Sequence, residues 1–243
     1  MTFLPLHILK SGANDLGIEL TDSQLELFDS FASFLVETNQ HLNLTRITEP
    51  EEIVKSHYLD SLTCLSALEV RPNARIIDVG TGAGFPGIPI KIVRPDLSVT
   101  LTDATSKKIK FISDAVEKLG LENVSPVSAR AEEIGNDPEF REKFNIAYAR
   151  ALSQLKVVAE LCLPLVKPGG YLVAQKSDDI SEELVDARAI IGQLGGKVVD
   201  IVTTRIPYTD IERKLIVIQK TRPTPPQFPR AYAKILQGKK KAL

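Results

Sequence analysis

Residues 75–87 read RIIDVGTGAGFPG: a short apolar run, an aspartate at 78, then glycines at 80, 82, 84 and 87. Gly82, Gly84 and Gly87 satisfy G-x-G-x-x-G, while Gly80, Gly82 and Gly84 form the tighter G-x-G-x-G. A strand that runs into glycines and then a helix sets backbone N–H groups at the carboxyl edge of a sheet, where open α/β folds bind their ligands. The spacing alone fits two cofactors, a nicotinamide dinucleotide or S-adenosylmethionine. Asp103 ends the next strand-like run, 19 residues after Gly84, and its carboxylate can accept both hydroxyls of a ribose that either cofactor carries.

Working outward from this stretch, SVTLTD (98–103), NVSPVSA (123–129), FNIAYA (144–149) and YLVAQK (171–176) are further short apolar or β-branched runs, and helical patterns separate them. SKKIKFISDAVEKLG, for example, places Phe111, Ile112, Ala115, Val116 and Leu119 on one helical face. Alternation of this kind predicts a doubly wound parallel sheet. The last two runs, KVVDIVTTRIPY (197–208) and RKLIVIQK (213–220), have no helix between them and are expected to pair antiparallel. On the amino-terminal side the sequence is helical. Thr21 and Gln24 stand in capping-box register before Leu25, Phe28, Phe31, Ala32 and Leu35, and a second helix is expected from about Thr48 to Leu68. The chain is therefore read as a helical appendage (1–70), a Rossmann-like domain (71–221) and a basic, proline-containing tail (222–243).

Composition narrows the function classes. The 43% of apolar residues in 243 fills the core of one large α/β domain with an appendage. No 18-residue apolar run occurs, and the start, MTFLPLHILKSGANDLG, lacks the apolar region and cleavage site of a signal peptide; a cytoplasmic protein with no membrane partner is expected. Cys64 and Cys162 have no C-x-x-C partner, and His7, His41 and His57 are scattered, so no metal site is expected. The net charge of −1 is uninformative, but residues 220–243 carry seven basic side chains and no acid, leaving −8 for the rest.

Three features separate the two cofactors. Asp78 precedes the first glycine, and an anion there suits a ligand bearing an ammonium and a sulfonium better than a pyrophosphate. The terminal antiparallel pair matches the sheet end of class I methyltransferases rather than of two-half dinucleotide folds. Val-Lys-Pro-Gly-Gly at 166–170, ahead of a strand, is a turn that recurs in the same class. The expected fold is thus class I S-adenosylmethionine-dependent methyltransferase.

Several separate stretches then carry a closer likeness: NLT at 43–45, HYLDSL at 57–62, DVGTGAGFPGIP at 78–89, the Lys107-Lys108 pair, ARAEE at 129–133 and YARA at 148–151. Together they resemble the small-subunit (16S) ribosomal RNA guanine-N7 methyltransferases, the RsmG or glucose-inhibited-division protein B family, over roughly residues 15 to 220. The resemblance implies cofactor contacts at Gly80 and Phe85, at Ala131 and Glu132, and at Arg150, and a 16S rRNA or small-subunit partner. Gly80 would bring backbone close to the methionine portion, Phe85 would form an apolar wall, and Glu132 with the Ala131 backbone would read the adenine edge. Lys176 is a candidate for holding the substrate, although Ser177 follows it where the family more often has glycine. Arg46, Lys55, Lys107, Lys108, Lys110, Arg130, Arg213 and Lys214 are candidate phosphate contacts around the cofactor mouth, while His57 and Asp60 could equally fix the appendage to the sheet.

The chemistry expected is a direct displacement at the methyl carbon. Guanine N7 has an in-plane lone pair and no proton to lose, so alignment can supply most of the rate without a general base. No D-P-P-Y or N-P-P-Y run and no Pro-Cys nucleophile is present, in keeping with that target. An arginine donating to N7 would occupy the attacking lone pair, so Arg150 is assigned to the cofactor carboxylate or an RNA phosphate, and no catalytic acid or base is named. Because N7 lies in a groove of duplex RNA that side chains cannot enter, the target is expected in a loop. A monomer is expected. A small-molecule methyltransferase and a non-catalytic nucleotide-sensing or ribosome-assembly module are the competing readings.

Overall fold

The computed structural model describes residues 2–177 and 179–237. Seven strands form one sheet in the order β3-β2-β1-β4-β5-β7-β6. The first five, β1 (Arg75–Val79), β2 (Ser98–Asp103), β3 (Val124–Ser128), β4 (Phe144–Arg150) and β5 (Val166–Lys176), pair in parallel. The last two, β6 (Gly196–Arg205) and β7 (Glu212–Lys220), pair antiparallel as expected, with β7 inserted between β5 and β6. Strand order reverses between β1 and β4, so the crevice at their carboxyl ends is the switch point of the fold.

The period of two along each strand assigns its side chains to two cores. Ile76, Ile146, Tyr148, Val173, Leu215 and Val217 face a cluster built with the amino-terminal helices, α5 (Gly87–Val93) and α6 (Ser106–Lys118). Ile77, Ala147, Leu172, Ala174, Ile216 and Ile218 face the opposite cluster, built with α8 (Leu155–Cys162), α9 (Ser181–Gln193) and the carboxyl-terminal segment. Helix α7 (Ala131–Ile134) is a single turn after β3.

Before the sheet lie α1 (Leu6–Asp15), which the sequence reading did not assign, and α2 (Asp22–Leu42), whose capping box forms: Thr21 N donates to Gln24 Oε1 (3.0 Å) and Gln24 N to Thr21 Oγ1 (3.3 Å). The helix expected from about Thr48 is a composite. A turn of α3 (Pro50–Glu52) widens into a π-helical stretch, Ile53–Leu59, then returns through α4 (Asp60–Leu62) to a 3₁₀ turn at Thr63–Ala67. Five of the seven π-helical residues, Ile53, Val54, His57, Tyr58 and Leu59, are buried, a wider face than an α-helical stripe presents. Tyr58 donates to Phe28 O (2.9 Å) and so ties this segment to α2.

The carboxyl-terminal segment is packed as far as the described residues extend. Lys220 is fully buried, donating to Leu163 O (2.6 Å), Val166 O (3.1 Å) and Thr224 Oγ1 (2.7 Å) beside Glu142 (3.2 Å). The Arg141 guanidinium gathers the carbonyls of Gly135, Thr224, Pro225 and Phe228 at 2.7–3.2 Å. Arg230 grips the buried Glu160 through Nε (2.7 Å) and Nη2 (2.5 Å), and Phe228 and Ile235 enter the second cluster. These cations are committed internally. Lys239, Lys240 and Lys241 lie outside the described residues.

Candidate active site

Two clefts open at the switch point, and they meet along Leu152 and Ser153 in the loop after β4. The smaller, about 240 Å³, is walled by Val79 and Gly80 from β1, Thr102, Asp103 and Ala104 from β2, Ala129 to Glu132 after β3, Leu161, and Tyr232 of α10 (Tyr232–Gln237). Gly80 has φ +74°, the left-handed region that favours glycine, and a Cβ there would fall 2.5 Å from Leu152 Cδ1, which would have to shift. Asp103 carries the glycine loop: its Oδ2 accepts from Gly82 N (3.1 Å), its Oδ1 accepts from Thr105 N (2.8 Å), and Lys108 lies 3.6 Å away. The side chain of Glu132 is 14% exposed, with Arg130 at 3.9 Å, whereas Glu133 folds back to accept from Arg130 N (3.3 Å).

Three residues expected at the cofactor lie behind this cleft instead. Asp78 is fully buried beneath the glycine loop, where Oδ2 accepts from Thr81 Oγ1 (2.6 Å) and Gly87 N (2.8 Å) and so pins both ends of the turn. Its Oδ1 is buried without a partner, and burial, outweighing these hydrogen bonds, pushes its pKa up to about 6. Gly84 packs on Ile88 and Phe31. Phe85, 5% exposed, is enclosed by Phe31, Tyr58, His57 and Arg150 and forms no wall of the smaller cleft.

The larger cleft, about 500 Å³, lies between the composite helix and the ends of β4, β5 and β7. At its base Asp60, 3% exposed, accepts from Arg150 Nη1 (2.7 Å), Arg213 Nε (2.7 Å) and Gln175 Nε2 (2.7 Å). Lys176 pairs with Glu183 (2.7 Å) and donates to Ser153 O. Arg213 and Lys176 are thus held inside the protein rather than free on its rim, because each has a carboxylate within reach that sequence distance conceals. Arg150 commits only Nη1, to Asp60 and Ser56 O (3.3 Å), and lies over the Phe85 ring at 5.4 Å. Arg46 and Lys107 are exposed, as is Arg130.

The His57 ring also stacks on Phe85, at 4.4 Å between centroids and 11° between planes. Burial, and then the neighbouring Arg150 charge, lower the His57 pKa to about 4. Its Nε2 lies 2.8 Å from Thr45 Oγ1, which already accepts from Ile47 N (3.1 Å). Its Nδ1 is buried with no hydrogen-bond partner among the described residues. The lining of this cleft sets three acids (Asp60, Asp179, Glu183) against three bases (Arg150, Lys176, Arg213). Each acid is occupied: Asp60 and Glu183 as described, Asp179 by Ser181 N (2.9 Å) and Oγ (2.6 Å).

Sequence reasoning missed Leu152, Ser153, Gln175, Glu183 and Tyr232. Ala151, at φ +52°, turns Leu152 and Ser153 into both clefts, and neither the turn nor the contacts to distant strands leaves a local signature.

Residues 24–215 match the family model described as GidB: rRNA small subunit methyltransferase G. The chain is 44% identical over 222 residues to the Ribosomal RNA small subunit methyltransferase G of Desulforamulus reducens, covering 91% of this chain and 92% of that one. With the protein of the same description from Lachnoclostridium phytofermentans it shares 45% over 226 residues, 93% of each chain. Among solved structures, a SAM dependent methyltransferase from Aquifex aeolicus superposes with a TM-score of 0.50 over 69% of this chain and 92% of its own; at 18% identity that likeness speaks for the fold.

Proposed function

From its membership of the rRNA small subunit methyltransferase G family, to which this chain belongs, we propose that the protein transfers the methyl group of S-adenosylmethionine to N7 of an unpaired guanine in 16S rRNA. The smaller cleft suits the nucleoside half of the cofactor: Asp103 has lone pairs left for the ribose hydroxyls, the Ala131 backbone and Glu132 face the adenine edge, and Gly80 lets backbone approach the methionine portion. When bound, S-adenosylmethionine supplies a methyl carbon on a positively charged sulfur. The target base would enter the larger cleft, which adjoins the first at Leu152 and Ser153.

The observation that carries the choice of N7 is the absence of a free base among the described residues of that cleft. Burial lowers the His57 pKa to about 4 and so makes it a weak base, and the three carboxylates are held by hydrogen bonds or ion pairs. An exocyclic amine or a ribose hydroxyl must shed a proton during transfer; N7 has none to shed. The chain's own task is then alignment, with Phe85 as a rigid platform behind Arg150 and Arg150 retaining Nε and Nη2 for a carbonyl or phosphate oxygen. Arg46, Lys107 and Arg130, with Lys108 behind them, are proposed as phosphate contacts at the rim. The protein is proposed to act as a cytoplasmic monomer on 16S rRNA or the small subunit.

The test is methylation of 16S rRNA fragments by the purified protein. With guanine at the target, the product should cleave after borohydride and aniline, because N7 methylation leaves a cationic imidazole ring open to reduction. With 7-deazaguanine there, binding should persist and transfer stop. Methylation of the deaza substrate would redirect the assignment to an exocyclic or ribose position.

A further inference from the structure

The smaller cleft has one wall that comes from beyond the sheet. Tyr232, the first residue of α10, lines it together with Asp103, Ala131 and Glu132, the residues that read as the ribose and adenine contacts. Resting on the cofactor reading above, we infer that Tyr232 is a binding residue for the cofactor, closing the nucleoside end of the cleft with its ring against the purine.

Three observations converge on this. First, Tyr232 is the one aromatic residue among the lining groups of this cleft, whose other apolar members, Val79, Ala104, Ala129, Leu152 and Leu161, are aliphatic. A flat heteroaromatic ring gains most from an aromatic neighbour, by stacking or edge contact. Second, the side chain is held in place from behind without being consumed: it is half-buried against the second core cluster, and its hydroxyl has no hydrogen-bond partner among the described residues. Third, the tail that delivers Tyr232 is joined to the loop that delivers Ala131 and Glu132. Asn136 Nδ2 donates both to Glu132 O (2.9 Å) and to Pro229 O (3.1 Å), three residues before Tyr232. Gly135 lies so close to the tail that a Cβ there would come within 2.7 Å of Pro229 Cγ. The adenine-facing loop and the tyrosine thus form one unit, clamped by Arg141 and by the Arg230–Glu160 pair. Tail position sets the width of the cleft.

Calorimetric titration of the full-length protein with S-adenosylhomocysteine tests the inference without requiring turnover. Tyr232→Phe should bind as the wild type does. Tyr232→Ala should weaken binding by a factor of roughly 5 to 100, the range for losing one aromatic platform under a base. Adenosine alone should lose affinity in the same proportion, since the contact is to the purine. Tyr232→Leu keeps an apolar side chain to seat α10, so it separates stacking from packing: it should resemble the alanine variant. Wild-type affinity in either Tyr232→Ala or Tyr232→Leu overturns the inference. Failure of the wild-type protein to bind S-adenosylhomocysteine would instead overturn the cofactor reading on which it rests.

Discussion

Asp78 and Asp103 end adjacent strands, and burial separates what they do. Asp78 is enclosed, with a pKa near 6, above its value in the unfolded chain. The native state therefore holds this proton more tightly, so its contribution to stability is greatest below about pH 4 and is lost as pH rises through 6. Ionised, Asp78 costs about 3 kcal/mol, from two pKa units at about 1.4 kcal/mol each. Asp78→Asn should remove that dependence: the stability difference between mutant and wild type, from urea unfolding, should shift in the mutant's favour by up to about 3 kcal/mol between pH 4 and 7.5. A difference independent of pH would mean that burial does not raise the Asp78 pKa above its value in the unfolded chain. Asp103 is wetter, holds Gly82 N and is the proposed ribose contact. Asp103→Ala should weaken S-adenosylhomocysteine binding by about 1–3 kcal/mol with little change in melting temperature, and an unchanged dissociation constant would remove Asp103 from the site. Gly80 and Asp103 were legible in sequence because strand, turn and carboxylate follow one another along the chain. The packing of Phe85 was not legible, because its neighbours His57 and Arg150 arrive from elements 28 residues before and 65 after it.

Among the elements, the composite helix at 50–67 and the tail carry the largest differences from expectation. Apolar spacing announces a helix but is silent on π-helical winding, which adds no residue type of its own. That Asp60 could fix the appendage to the sheet was legible, but its partners Arg150 and Arg213, 90 and 153 residues away, were not. Asp60→Ala should destabilise the fold by about 3–5 kcal/mol in denaturant titration, since it leaves two arginines at the base of the cleft without their carboxylate. Asp60→Asn keeps the shape and one acceptor oxygen but not the charge, and should lose most of the same stability; wild-type stability in this variant would mean that charge is not what joins the helix to the sheet. The tail was read from its basic and proline residues; Phe228 and Ile235, together with Arg141 and the Arg230–Glu160 pair, hold it. Truncation after Thr221 should therefore lower the melting temperature, because Phe228 and Ile235 leave the core and Glu160, 1% exposed, loses Arg230. Burying each apolar side chain contributes about 1.5–3 kcal/mol.

For the molecule as a whole, the fold class was the most legible property, since alternating strands and helices followed by an unspaced pair of strands admit few topologies. A net charge of −1 means that RNA cannot be held by overall attraction, so affinity must come from a local rim. Replacing Arg46, Lys107 and Arg130 together by alanine should lower the log-log salt slope of RNA binding by about 2–3, with cofactor affinity nearly unaltered. An unchanged slope would send the phosphate contacts elsewhere on the surface. The chemical step should vary little between roughly pH 6 and 9 in single-turnover measurements, whereas a limb tracking a titrating group would contradict transfer to N7. The position of β7 between β5 and β6 also orders events during synthesis. β6 is translated first but has no other strand to pair with, so it leaves the ribosome as an unpartnered, half-apolar ribbon and waits for residues 212–220 to emerge. Strands β1 to β5 can assemble earlier, as amino-terminal segments generally do. A chain stalled between residues 206 and 211 would carry a partial sheet with β5 open along one edge, available to any passing strand.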